Sequence, residues 1–187
     1  SRGLGDVYKR QILKKLIAIP SVTGNEHDIA IYIADYLRQC GVDSVELQPV
    51  EGKRLNVVAH LKGEKVGPVV LLTGHMDTVA PGEGWRTDPF KATERDGRIY
   101  GRGAADMKGG IAAILVAIRN AAAQREQMRG EAIVAFVCDE EAYSKGVDAL
   151  IRSGIRADYG IAAEPEWDAV IGAVGKMLIK VRVYGIA

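Results

Sequence analysis

The feature that most constrains this chain is a change of character that recurs four times, where an apolar run or a glycine-rich loop gives way to acidic or imidazole residues. The four clusters are Gly74-His75-Met76-Asp77, Arg102-Gly103-Ala104-Ala105-Asp106, Asp139-Glu140-Glu141 and Ala163-Glu164-Pro165. Three of them follow continuous apolar stretches at 69–73, 133–137 and 161–163, the pattern of strands buried on both faces of a sheet. In open α/β sheets ligands bind beyond the carboxyl ends of the strands, so one composite site assembled from several strand ends is the simplest reading. One such coincidence arises easily by chance; four do not.

The rest of the chain supports an α/β arrangement. Ile12, Leu13, Leu16 and Ile17 recur at helical spacing up to Pro20. Asn25 is placed to cap a second helix whose Ile29, Ile33, Leu37 and Cys40 share a face until Gly41 ends it. Strands are predicted at 44–50, 55–61, 69–73, 132–137 and 159–163, with helices over 108–123 and 146–153. That alternation predicts a largely parallel twisted sheet with helices on both faces. Residues 1–11 carry no apolar period and read as a cloning leader, leaving 12–174 as the α/β portion. Over 175–187, Met177, Ile179, Val181 and Val183 alternate with Leu178, Lys180, Arg182 and Tyr184, which predicts the first strand of a second, antiparallel module. The closing Gly185-Ile186-Ala187, without a cap or turn, reads as truncation.

Composition excludes several classes of function. Lys plus Arg (25) nearly balance Asp plus Glu (24), so nothing electrostatic favours nucleic acid or an anionic membrane as a partner. The longest apolar run, 111–118, is far short of the ~20 residues a membrane span needs, and no signal peptide opens the chain, so a cytoplasmic protein is expected. Cys40 and Cys138 are far apart, with no CxxC spacing, and read as reduced, semi-buried thiols.

Each cluster has a bland reading alone. In His75-x-Asp77 one imidazole nitrogen can bind a metal while a nearby carboxylate accepts a hydrogen bond from the other, yet a lone histidine is more often structural. Asp106 alone could be a helix cap. Glu140 and Glu141 are adjacent carboxylates that repel unless a cation or proton sits between them; the alternative is a solvated acidic turn. Pro165 holds the backbone of Glu164 extended and restricts where its side chain can point; the alternative is a surface carboxylate at a strand end. A nucleotide-binding reading of Gly101-Arg102-Gly103 fails, because Asp106 stands where GxGxxG needs glycine.

Together, the ordered set GHMDTV, GRGAADMKGG, DEE and AEP resembles the metal-dependent aminoacylase and peptidase family that includes acetylornithine deacetylase, succinyl-diaminopimelate desuccinylase and carboxypeptidase G. The likeness runs from Ile12 to the last residue and takes in Ile19-Pro20-Ser21-Val22-Thr23-Gly24-Asn25-Glu26, Gly84-Trp85, Asp88-Pro89-Phe90 and 97–103. The resemblance implies a dizinc exopeptidase-like catalytic domain over 12–174 and the start of an α+β lid domain over 175–187, through which a homodimer could form. It implies hydrolysis of the amide bond of N-acyl amino acids or small peptides, with two zinc ions, or cobalt or manganese in their place. His75, Asp106 and Glu164 would hold one metal, and Asp106 would bridge to a second that is also held by Glu141. Glu140 would be the general acid/base and Asp77 would orient His75. The family's further histidines, from the lid and from the far carboxyl-terminal part, have no counterpart here, since His27 and His60 match no ligand position. These residues alone are therefore expected to be inactive. The competing reading is a non-catalytic metal-binding or regulatory relative, against which Glu140 speaks, because a binding module has no use for a proton shuttle.

Overall fold

The computed structural model describes residues 2–165, and the segment predicted to open a second module, 175–187, lies outside the described residues. In chain order the elements are helices α1 (Arg2–Ile17) and α2 (His27–Gln39), strands β1 (Ser44–Glu51), β2 (Arg54–Lys62) and β3 (Lys65–His75), a small hairpin of β4 (Thr93–Arg95) and β5 (Arg98–Tyr100), helix α3 (Gly109–Ala122), strand β6 (Arg129–Val137), helix α4 (Lys145–Arg152) and strand β7 (Tyr159–Ala162). Helix α1 passes through the 11/12 boundary without a break, and it buries Ile12, Leu16 and Ile17.

Five strands form one sheet in the order β1-β2-β6-β3-β7. Strand β3 lies parallel to both β6 and β7, whereas β1 pairs with β2, and β2 with β6, in antiparallel fashion. The sheet is thus mixed. Its parallel part is the half that carries the acidic clusters, and the antiparallel edge follows from the tight turn at Gly52 (φ 58°), which returns β1 directly into β2.

Period-two alternation divides the core into two layers. Val57, Ala59 and Leu61 of β2 and Ala132, Val134 and Phe136 of β6 pack with α1, α2 and α3, while Val58, Ile133, Ala135 and Val137 face Leu150 of α4. Helices therefore cover both faces. Helix α2 buries Ile29, Ala30, Ile33, Ala34 and Leu37, but its N-cap is Glu26 and not Asn25. The Glu26 side chain makes no capping bond; its oxygens serve the Gly24 N–H and Arg54 instead. Cys40 is half-buried, Cys138 is buried, and both are free thiols.

Register brings the strand ends together. His75 of β3 stands opposite Val137 of β6, and Thr73 opposite Ala162 of β7, so residues 75–77, 138–141 and 163–164 emerge along one edge. The start of α3 closes on that edge at Gly110, where a Cβ would collide with the carbonyl oxygen of Ala163. Among the described residues no helix is long and apolar enough to cross a membrane.

Candidate metal centre

His75, the last residue of β3, is 2% exposed, and its Nε2 lies 2.9 Å from Asp106 Oδ1. Asp106 reaches it from a short π-helical turn, Ala104–Lys108, entered through Gly103 at φ 75°, where a side chain would press on Thr78. Within the turn Asp106 (φ −112°, ψ 100°) and Met107 (φ −130°, ψ 31°) leave helical geometry. Two contacts fix the turn from behind. The sulfur of buried Met107 accepts the His75 N–H at 3.0 Å, and the buried Lys108 ammonium donates to the carbonyls of Leu16 (2.9 Å) and Ile19 (2.8 Å) at the end of α1. Burial pushes the Lys108 pKa down to about 8.

Glu141 completes the cluster: one ligand atom each from His75, Asp106 and Glu141 lie within 4.8 Å of one another. Glu164 Oε2 and Glu140 Oε2 stand 3.8 Å and 3.9 Å from His75 Nε2. All five carboxylates named as candidates from the sequence, Asp77, Asp106, Glu140, Glu141 and Glu164, therefore gather around one imidazole. Glu164, however, is outside the tightest group, and the sequence-based partition into two ligand sets is not separated by these distances.

Carboxylates dominate the electrostatics of the site. Burial lowers the His75 pKa, but the carboxylates of Glu164, Asp77 and Asp106 outweigh that effect and hold it above its ordinary value. Burial also raises the Glu141 pKa, and Asp106 adds to the rise. Both shifts share a cause in the crowding of carboxylates at the site. An imidazole nitrogen with carboxylate oxygens, partly open to solvent, fits a divalent ion of the zinc, cobalt or manganese type, and the absence of cysteine fits an exchangeable site.

Asp77 is fully buried, and its carboxylate accepts three hydrogen bonds: from the Glu140 N–H (3.0 Å), the Glu141 N–H (3.1 Å) and the Thr23 hydroxyl (2.9 Å). His75 Nδ1 lies 2.9 Å from the backbone carbonyl of Asp77 and 3.7 Å from its carboxylate. The nearest acceptor for Nδ1 is thus the main chain of Asp77, and the carboxylate holds the Glu140-Glu141 turn.

Sequence reasoning missed the residues beneath the site. Ser21 Oγ donates to the Met76 carbonyl at 2.8 Å, and Val22 bridges to Thr78. Buried Asn56 donates to the Gly146 carbonyl (2.8 Å) and accepts the Cys138 N–H (3.1 Å). Arg54 pairs with Glu26 (2.5 Å) and Asp139 (2.7 Å), both buried. The 19–26 motif and the first Asp of the DEE run were visible, but the burial of Ser21, Glu26 and Asp139 was not. His27 pairs with Asp28, and His60 with Glu131; neither belongs to the cluster.

A family model described as "Peptidase family M20/M25/M40" matches residues 71–182. Among curated relatives, the chain is 38% identical over 172 residues to succinyl-diaminopimelate desuccinylase of Bordetella avium, covering 88% of this chain and 45% of that protein. It is 36% identical over 166 residues to the protein of the same name from Nautilia profundicola, covering 86% of this chain and 43% of that one. The chain spans less than half the length of these relatives. Among solved structures, aminopeptidase PepT from Bacillus cereus superposes with a TM-score of 0.68 at 28% identity, covering 83% of this chain and 42% of that one. Human carnosine dipeptidase 1 superposes with a TM-score of 0.73, covering 86% of this chain and 39% of that one; at 24% identity it speaks to the fold alone.

Proposed function

Because the chain belongs to peptidase family M20/M25/M40, we propose that the whole protein is a metal-dependent amidohydrolase acting on the amide bond of small N-acyl amino acids or peptides. The observation that carries this reading is the convergence of His75, Asp106 and Glu141 within 4.8 Å, with the Glu140 carboxylate beside them. In this proposal His75, Asp106, Glu141 and Glu164 would hold two divalent ions. When bound, such ions supply Lewis acidity that polarises a carbonyl and makes water more acidic.

The remaining steps fall to the chain's own groups. Hydrolysis requires a proton to leave water as its oxygen bonds to the carbonyl carbon, and a proton to reach the amine as the C–N bond breaks. Glu140 is exposed at the mouth of the cluster, and its backbone N–H is fixed by Asp77, so its carboxylate can take the first proton and deliver the second. Asp77 acts by position: it holds the turn that carries Glu140 and Glu141. The free cysteines fit a reducing compartment, the cytoplasm.

The names of the relatives make N-succinyl amino acids the first substrates to try. The test is an assay of the whole protein against N-succinyl and N-acetyl amino acids and dipeptides, with and without a chelator. Chelator-sensitive release of the amine is expected. Tight metal binding with no turnover on any of them would favour a non-catalytic metal-binding relative.

A further inference from the structure

Beneath the Glu140-Glu141 turn, three charges are buried together. The Arg54 guanidinium is 12% exposed and the carboxylates of Glu26 and Asp139 are 0% and 1% exposed. Arg54 Nε donates to one Glu26 oxygen at 3.0 Å, and Nη2 reaches the other at 2.5 Å and Asp139 Oδ1 at 2.7 Å. Asp139 begins the acidic turn. It has φ 70°, and its own oxygens accept the N–H groups of Ser144 (2.7 Å) and Lys145 (3.1 Å). The turn is thus gripped twice, by Asp77 on the amides of Glu140 and Glu141 and by Arg54 on the side chain of the residue before them.

A buried ion triad is weak evidence for stability, because desolvation offsets much of the attraction. Its value lies in geometry. Without Arg54, the buried carboxylates of Glu26 and Asp139 lose the guanidinium between them; each keeps one N–H, from Gly24 at 3.0 Å and from Lys145 at 3.1 Å, and of the two Asp139 is the one on the turn, so its displacement moves Glu140 and Glu141. We infer that Arg54 is a positioning residue for the candidate metal centre, acting through Asp139 to set where Glu140 and Glu141 stand relative to His75 and Asp106. The inference rests on the metal-site reading proposed above.

The experiment is a cobalt(II) titration of the protein and its Arg54→Met and Arg54→Lys variants, followed by the visible absorption of the bound ion. NMR exchange of the Glu140 and Glu141 amides is measured alongside, without metal. Arg54→Met is expected to bind cobalt 10–100-fold more weakly, the usual cost of losing a partner one step behind the ligands, with an altered spectrum and about tenfold faster exchange of both amides. Arg54→Lys, which keeps the charge, is expected to regain most of the affinity. A folded Arg54→Met protein with cobalt affinity within about twofold of the parent and unchanged amide protection overturns the inference. If Arg54→Met does not fold, the combined Glu26→Gln, Arg54→Met, Asp139→Asn variant removes all three charges; the same loss is expected of it, and parent-like affinity overturns the inference. If the parent itself takes up no cobalt, the metal-site reading fails, and the exchange data decide alone: faster exchange in the variant supports positioning, and unchanged exchange refutes it.

Discussion

Single side chains divide the work of the site, and substitution should separate them. Glu140→Gln is expected to lower turnover by about 10² to 10⁴, the usual share of general acid/base catalysis, and to leave metal content unchanged. Glu141→Gln should instead weaken metal binding, with equilibrium dialysis giving the comparison; a metal-free Glu140→Gln protein beside a metal-replete Glu141→Gln protein would exchange the two roles. In the proposed metal site protons would compete with an ion at His75 and Glu141, whose pKa values both lie above their ordinary positions. Affinity should therefore climb with pH as each loses its proton, above the ordinary carboxylate range for Glu141 and above the ordinary imidazole range for His75, and calorimetry in two buffers should detect proton release on binding. The candidate ligands were legible because imidazole and carboxylate after an apolar run are conspicuous by type. The engagement of the Asp77 carboxylate with two amides and a hydroxyl was not, because the directions of N–H groups in a turn are absent from residue spacing.

At the level of elements, close approach and burial decide the outcome. Alanine is the better helix former, so Gly110→Ala would stabilise an isolated α3 by up to about 1 kcal/mol. Here its Cβ meets the Ala163 carbonyl, and overpacking of that kind costs about 1–3 kcal/mol, so urea unfolding should show a net loss and Glu164 should be displaced. Cys138, just past β6, has its pKa pushed up to about 12 by burial, with nearby Glu26 adding to the rise. Iodoacetamide near pH 8 should therefore leave it unlabelled until denaturant is added; rapid labelling of the folded protein would contradict its placement. Most strand and helix locations were readable from period and apolar runs, but the β4–β5 hairpin and the part of α1 before Ile12 were not. The N-cap of α2 was not, because Asn25 has the better capping chemistry, whereas the Glu26 side chain is committed to Arg54, far away in sequence. Nor does an apolar run reveal its direction, which is why the antiparallel half of the sheet was not foreseen.

For the molecule as a whole, Lys108 links stability to pH. Its pKa falls to about 8 in the fold, so the folded state releases this proton before the unfolded chain does. The contribution is complete above the unfolded lysine pKa of about 10.4 and is lost as pH falls through about 8, a gain of about 1 kcal/mol between pH 7 and 9. Half-buried Tyr32 and Tyr36 and buried Cys138, with raised pKa values, act in the opposite sense at higher pH, so the parent's profile must be compared with that of Lys108→Met. The difference between the two urea-derived stabilities should widen with pH over that window in the parent's favour; a constant difference would show that Lys108 does not titrate there. The strand order carries a consequence in time. Strands β2 and β3 are neighbours along the chain, yet β6 lies between them in the sheet. As the polypeptide leaves the ribosome, those two must refrain from pairing with each other until a much later segment arrives to separate them. The middle of the sheet thus cannot close before β6 has emerged, and a premature hairpin of β2 with β3 is the trap that a slow or crowded synthesis would favour.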